Sequence, residues 1–81
     1  MNITIYTTTH CGVCHALMTW LDKQGISYLQ KNVEEDSAVM AEFMTVNDGM
    51  IGTPFTIIEN NGTEAKIAGF NPSSFSTALQ Q

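Results

Sequence analysis

The sequence predicts an α/β domain with a four-stranded mixed sheet, whose elements follow the order β-α-β-α-β-β-α. Three observations lead to this fold class: β-branched and aromatic runs typical of strands, apolar residues at helical spacing between them, and an Asn-Gly turn late in the chain. The chain has 81 residues, 43% of them hydrophobic and 14% charged, which is typical of a packed domain. We therefore expect a single domain that spans residues 1–81.

The first half of the chain has the pattern of a strand, a helix and a second strand. Residues 3–7 are β-branched or aromatic and predict the first strand. From about residue 13 to residue 24, apolar side chains recur at helical spacing, and Gly25 is well placed to end this helix. Residues 26–33 predict the second strand, and a right-handed crossover would pair the two strands in parallel.

The second half of the chain begins with a helix and continues with a hairpin. Residues 34–37 supply negative charge and capping side chains to the helix, and we expect its apolar face to include Val39, Met40, Phe43 and Met44. Residues 55–59 and 64–68 flank Asn60-Asn61-Gly62, which predicts a β-hairpin because Asn-Gly tolerates positive φ. Asn71-Pro72 then opens a short last helix, with Phe75 and Leu79 facing inward.

The charge of the chain argues against several classes of partner. Its formal net charge is −5, and its only basic residues besides two histidines are Lys23, Lys31 and Lys66. This balance argues against nucleic acid, since such binding neutralises many phosphates. No apolar run approaches the ~20 residues of a membrane span, and the first residues lack the basic and apolar segments of a signal peptide. We expect a cytoplasmic protein that does not bind membranes.

Cys11 and Cys14 are the residues most indicative of chemistry. A bridge between them closes a loop too small to stabilise the fold, so a pair like this in a reducing cytosol is more often catalytic or metal-binding. At the entrance of a helix, the Cys11 sulfur would meet unpaired N–H groups, which can lower a cysteine pKa from ~8.5 into roughly the 3.5–7.5 range. Cys11 is thus the candidate nucleophile and the more shielded Cys14 the resolving residue. Gly12 would keep the approach open, and Val13 would offer a docking chain a small apolar surface.

Three other interpretations of the cysteine pair remain open. Two buried cysteines can serve as small hydrophobic residues. The segment Cys11-Gly12-Val13-Cys14-His15 also matches the c-type haem attachment pattern, for which Met40, Met44 or Met50 would be the axial ligand. A zinc site would use His10, Cys11, Cys14 and His15, although four ligands within six residues are crowded. We expect no metal and no bound cofactor, and we expect His10 and His15 to be surface residues that flank the pair.

Thr53-Pro54 is the second candidate site element. A proline before an apolar strand can be a simple strand start. A cis Thr53–Pro54 bond would instead turn the backbone beside Cys11 and leave main-chain groups at residue 53 free to pair with an extended substrate. The sequence therefore predicts that Thr53 and Pro54 contribute to substrate binding.

Several motifs give the chain a resemblance to the glutaredoxin-like branch of the thioredoxin superfamily, and within it to the NrdH-redoxins. They lie along nearly the whole chain: Cys11-Gly12-Val13-Cys14, Gly25-Ile26-Ser27-Tyr28, Asn32-Val33-Glu34, Gly52-Thr53-Pro54-Phe55 and Gly69-Phe70-Asn71-Pro72. The resemblance implies a thioredoxin fold and a dithiol electron carrier without a bound cofactor. It also implies that Gly69 and Phe70 add an apolar, substrate-binding surface near the active site.

The resemblance also indicates the electron donor. Glutathione-dependent members usually carry a Lys three residues before the first cysteine, where this chain has Thr8. We therefore expect a protein disulfide reductase that is recharged by a thioredoxin-reductase-type flavoprotein, with ribonucleotide reductase as a candidate target. The alternatives are a glutathione-dependent glutaredoxin and, in another class, a metal- or haem-binding module.

Overall fold

The strands and helices of the protein follow the predicted order. A computed structural model describes residues 1–50 and 52–79. The strands are β1 (Asn2–Thr7), β2 (Leu29–Asn32), β3 (Phe55–Asn60) and β4 (Thr63–Ala68), and the helices are α1 (Gly12–Lys23), α2 (Ser37–Val46) and α3 (Pro72–Leu79). Within these ranges, no helix is long and apolar enough to cross a membrane.

The four strands form one sheet in the order β2-β1-β3-β4. β1 pairs in parallel with β2 and antiparallel with β3, and β3 pairs antiparallel with β4. The turn between β3 and β4 has positive φ at both Asn61 (52°) and Gly62 (82°), as a two-residue hairpin turn requires. The predicted mixed sheet and hairpin are therefore confirmed.

Each face of the sheet has its own apolar core. On one face, strand side chains pack with those of α1 and α3, and the buried members are Ile3, Ile5, Leu17, Leu21, Ile58, Phe75 and Ala78. On the other face, α2 contributes Phe43 to a smaller cluster whose remaining buried members are Tyr6, Val33 and Phe55. The sheet thus holds α1, which begins directly after the first cysteine, against the larger core.

The second strand is shorter than the predicted range of residues 26–33. α1 ends in a Schellman motif, in which Ile26 N–H donates to the Leu21 carbonyl and Gly25 N–H donates to the Asp22 carbonyl, both at 3.1 Å. Gly25 has a φ of 70°, which suits its position just after the helix. Since Ile26 belongs to this motif and packs on the core, pairing of the second strand with β1 starts only at Leu29.

The apolar face of α2 also differs from the prediction. Phe43 is buried and Val39 is half-buried, but Met40 and Met44 keep 39% and 61% of their surface exposed. Val39, Phe43 and Val46 pack against the sheet at helical spacing, so the two methionines lie beyond the edge of this contact. The neighbouring Glu42 is tied to β2 through a 2.7 Å salt bridge with Lys31.

Candidate active site

Cys11 occupies the N-cap position of α1, as the sequence predicts. Its backbone is extended, with φ −127° and ψ 99°, and its Sγ accepts a hydrogen bond from the Cys14 N–H at 3.1 Å. This N–H is one of the donors that a helix leaves unpaired in its first turn. The same N–H group and the helix dipole would stabilise negative charge on the Cys11 sulfur after reduction.

Cys11 and Cys14 form a disulfide, with their Cα atoms 5.2 Å apart. The two sulfurs differ in accessibility, because only 1% of the Cys14 surface is exposed whereas Cys11 is half-buried. An incoming thiolate can therefore approach the Cys11 sulfur while Cys14 is shielded. This arrangement suits disulfide exchange in which Cys11 forms the mixed disulfide and Cys14 acts internally.

The loop before β3 brings Thr53 next to Cys11. The Thr53–Pro54 peptide bond is cis, as predicted. Thr53 Oγ1 donates a hydrogen bond to Cys11 Sγ at 3.8 Å and lies 3.0 Å from Thr8 Oγ1. From the other side, Gly69 N–H donates to the Pro54 carbonyl at 2.8 Å. These contacts place Thr53, Pro54 and Gly69 at the site, together with Thr8, which the sequence marks only as the position where glutathione-dependent relatives usually carry a lysine.

The other residues predicted to bind substrate differ in their exposure. Gly12 and Val13 lie on the outside of the first turn of α1, and 51% of the Val13 surface is exposed. The ring of Phe70 is half-buried, because it packs against Trp20 at 5.9 Å and Phe75 at 6.0 Å between ring centroids. Phe70 therefore connects α1 with α3 and leaves only part of its ring for a partner.

A second set of contacts fixes the loop that leads into Cys11. Glu34 Oε1 accepts a hydrogen bond from Thr9 N–H at 2.6 Å, and Asn32 Nδ2 donates to Thr9 Oγ1 at 3.3 Å. The bond from Thr9, reinforced by the nearby His10, lowers the pKa of the Glu34 carboxyl. Local sequence patterns alone give Asn32 and Glu34 no role at the site, although both belong to a motif that carries the family resemblance.

The histidines that flank the cysteine pair are both exposed, as predicted. Among residues 1–50 and 52–79, no group of three or more His, Cys, Asp or Glu side chains is arranged to hold a metal ion.

Comparison with known proteins decides the family. The glutaredoxin family model matches residues 3–61. The chain belongs to the glutaredoxin family. A comparison with curated protein sequences finds no match. As a glutaredoxin-family protein with a CxxC cysteine pair, the chain is a thiol-disulfide oxidoreductase.

Solved structures similar to this glutaredoxin-family chain share its thioredoxin fold. The NrdH-redoxin of Escherichia coli is 27% identical and aligns over 95% of this chain and 93% of its own, with a TM-score of 0.75. A thioredoxin-like protein with 22% identity has a TM-score of 0.80 over 96% of this chain and 99% of its own. A glutaredoxin of Archaeoglobus fulgidus with 12% identity has a TM-score of 0.79 over 99% of this chain and 87% of its own.

Proposed function

We propose that this glutaredoxin-family protein is a cytoplasmic dithiol electron carrier that a thioredoxin-reductase-type flavoprotein recharges. It passes two electrons to disulfides of protein substrates, with ribonucleotide reductase as a candidate target. The electrons reside on Cys11 and Cys14, without a bound cofactor or metal.

In the proposed reaction, the reduced protein attacks with the Cys11 thiolate. The thiolate displaces one sulfur of the substrate disulfide, which leaves as a thiol after taking up a proton, and a mixed disulfide with Cys11 remains. Cys14 then loses its proton and attacks Cys11 Sγ, which releases the second substrate sulfur and forms the Cys11–Cys14 disulfide. The substrate gains two electrons and two protons, and the flavoprotein restores the dithiol.

The observation that carries the donor assignment is the environment of position 8. Thr8 stands where glutathione-dependent members have a lysine, and its hydroxyl is 3.0 Å from the Thr53 hydroxyl instead of offering a cation. Lys31 is bound to Glu42, and Lys66 to Asp48. Lys23 lies in the last turn of α1, at the opposite end of the helix from Cys11. Glutathione is anionic at neutral pH, so this surface offers little electrostatic attraction to it.

The comparison with the NrdH-redoxin supports the same donor. That Escherichia coli protein is glutaredoxin-like and has a thioredoxin-like activity profile. The residues we assign to protein docking are Gly12, Val13, Thr53, Pro54, Gly69 and Phe70. Pro54 is buried and its carbonyl accepts the Gly69 N–H, so these two residues would serve to position Thr53. The exposed Val13 and the partly exposed ring of Phe70 offer apolar contacts, which suit a protein segment better than a small anionic tripeptide.

Side-by-side kinetics test this proposal. We expect thioredoxin reductase with NADPH to reduce the Cys11–Cys14 disulfide efficiently, and millimolar glutathione to reduce it slowly. Thr8→Lys should accelerate the glutathione reaction, because it supplies a cation close to the Cys11 sulfur. Thr63→Lys adds the same charge in the exposed β3–β4 hairpin and should have little effect. Rapid turnover with glutathione and none with the flavoprotein would contradict the proposal and identify a glutathione-dependent glutaredoxin.

A further inference from the structure

The carboxylate of Glu34 is fixed beside the loop that carries Cys11. Its Oε1 accepts the Thr9 N–H at 2.6 Å, and its own N–H donates to Asn32 Oδ1 at 2.8 Å. Thr9 is two residues before Cys11, so their Cα atoms are at most about 7 Å apart even in an extended chain. Because the Glu34 oxygen lies 2.6 Å from the Thr9 nitrogen, the negative charge of Glu34 is at most about 11 Å from the Cys11 Cα.

This charge is not neutralised by a lysine. In the described parts of the chain, Lys31 and Lys66 form salt bridges with Glu42, Asp48 and Glu64, and no salt bridge reaches Glu34. The hydrogen bond from Thr9 and the proximity of His10 lower the pKa of the Glu34 carboxyl, so it is ionised throughout the neutral range. Glu34 is also exposed, so its charge can interact with an approaching molecule.

We propose that Glu34 is a specificity-determining residue, which disfavours anionic thiols and favours cationic thiols in attack on the Cys11 sulfur. The inference rests on the proposed function, since it gives a local cause for the expected preference for protein donors over glutathione. In the step concerned, a thiolate attacks Cys11 Sγ, the Cys11–Cys14 bond breaks, and Cys14 leaves as a thiolate that takes up a proton. A second thiolate then attacks the mixed disulfide, and the small disulfide and reduced Cys11 are released.

Coulomb's law gives the size of the expected effect. Two unit charges about 10 Å apart in water interact strongly enough to change a rate about twofold, and reversing the sign of one charge changes it about fourfold. Salt screens this effect, because the Debye length falls from about 30 Å at 0.01 M to about 3 Å at 1 M ionic strength.

The test uses three thiols with the same two-carbon chain and different terminal groups: 2-mercaptoethanesulfonate, 2-mercaptoethanol and cysteamine. Each reduces the purified oxidised protein at 0.01 M ionic strength, and each rate is divided by that of the neutral thiol. Glu34→Gln keeps an oxygen acceptor for Thr9 while removing the charge. It should raise the sulfonate ratio about twofold and lower the cysteamine ratio about twofold. Glu34→Lys should shift both ratios further in the same directions, and 1 M salt should erase the differences.

Glu59→Gln is the matched control, because Glu59 is exposed near the end of β3 that lies away from Phe55 and the active site. Its ratios should equal those of the wild type. Unchanged ratios in Glu34→Gln, or an equal shift in Glu59→Gln, would overturn the inference. These assays contain no flavoprotein. The proposal of a flavoprotein donor can therefore be contradicted while the proposal for Glu34 is supported, and the proposal for Glu34 can be contradicted while that of the donor is supported.

Discussion

Replacing Thr56 with valine should stabilise the protein, which is unusual for a substitution in the centre of a sheet. Thr56 lies in β3, with none of its surface exposed, and its Oγ1 has no hydrogen-bond partner among the described residues. Its direct neighbours across the sheet are Ile5 and Ile67, both of which belong to or pack against the larger apolar core. Valine has the same shape as threonine and would place a methyl group, instead of a hydroxyl, against these apolar neighbours.

The magnitude follows from the cost of an unpartnered polar group. Leaving a buried hydroxyl without a hydrogen bond costs about 1–3 kcal/mol, so Thr56→Val should raise the free energy of unfolding by at least about 1 kcal/mol. For a domain of this size, each kcal/mol corresponds to a rise in Tm of roughly 4–8 °C. Valine also suits the strand conformation, so no opposing backbone effect is expected.

Thr7→Val is the matched control for this prediction. Thr7 is 1% exposed in the adjacent strand β1, but its Oγ1 accepts a hydrogen bond from Gln30 Nε2 at 3.1 Å. The same chemical change there should lower the free energy of unfolding by about 0.5–1.5 kcal/mol, the usual value of such a bond.

Urea unfolding of the oxidised proteins at pH 7, followed by circular dichroism, measures both variants on one scale. We expect the free energy of unfolding to rise in Thr56→Val and to fall in Thr7→Val. A loss of stability in Thr56→Val, with an unchanged m-value, would show that the Thr56 hydroxyl is satisfied in solution and would refute the argument.

Two further predictions concern the roles of the cysteines and the loss of stability at acidic pH. Cys11→Ser should abolish disulfide reduction, whereas Cys14→Ser should accumulate a mixed disulfide on Cys11 that mass spectrometry detects; a mixed disulfide trapped on Cys14 in Cys11→Ser would reverse the roles. The hydrogen bonds from Lys31 and Tyr6 lower the pKa of Glu42 from 4.5, so its contribution to stability is complete above that pH and is lost as the pH falls through the lower folded value. In Glu42→Gln, the free energy of unfolding should fall less steeply between pH 6 and pH 2 than in the wild type. An equally steep fall in both proteins would contradict the role assigned to Glu42.

The features of the fold that the sequence predicts well are those set by neighbouring residues. The hairpin turn depends on Asn61 and Gly62 themselves, and the start of α2 depends on Asp36, whose side chain accepts the Ala38 N–H at 2.8 Å. The start of the second strand and the exposed side of α2 depend on contacts with other elements. The residue pattern of the second strand is compatible with pairing that starts at either Ile26 or Leu29, and that of α2 with buried or exposed methionines. Only the packed structure distinguishes these cases.

The same distinction applies to the candidate site. The position of Cys11 at the entrance of a helix, where its sulfur faces unpaired N–H groups, is local, and the sequence predicts it; the structure identifies the Cys14 N–H as the donor. The contact of Thr8 with Thr53 joins residues 45 positions apart, and that of Thr9 with Glu34 joins residues 25 positions apart. No local pattern marks such pairs, which become visible only when the register of the sheet and the following loops is known.

Contacts with the Cys11 sulfur and contacts beside it would act on different aspects of the proposed reaction. The helix N-terminus and the Thr53 hydroxyl touch the Cys11 sulfur itself, so they would affect its thiolate toward every substrate alike. Thr8 contacts Thr53 and Glu34 contacts Thr9, so neither touches the sulfur, and a charge change at either position would alter which thiol approaches. Substitution of Thr53 should therefore change the rates with cationic, neutral and anionic thiols by the same factor. Substitution of Glu34 should instead change the ratios between these rates. On the proposed function, donor choice within one fold would change through residues outside the CxxC motif, while the exchange chemistry of the cysteines is retained.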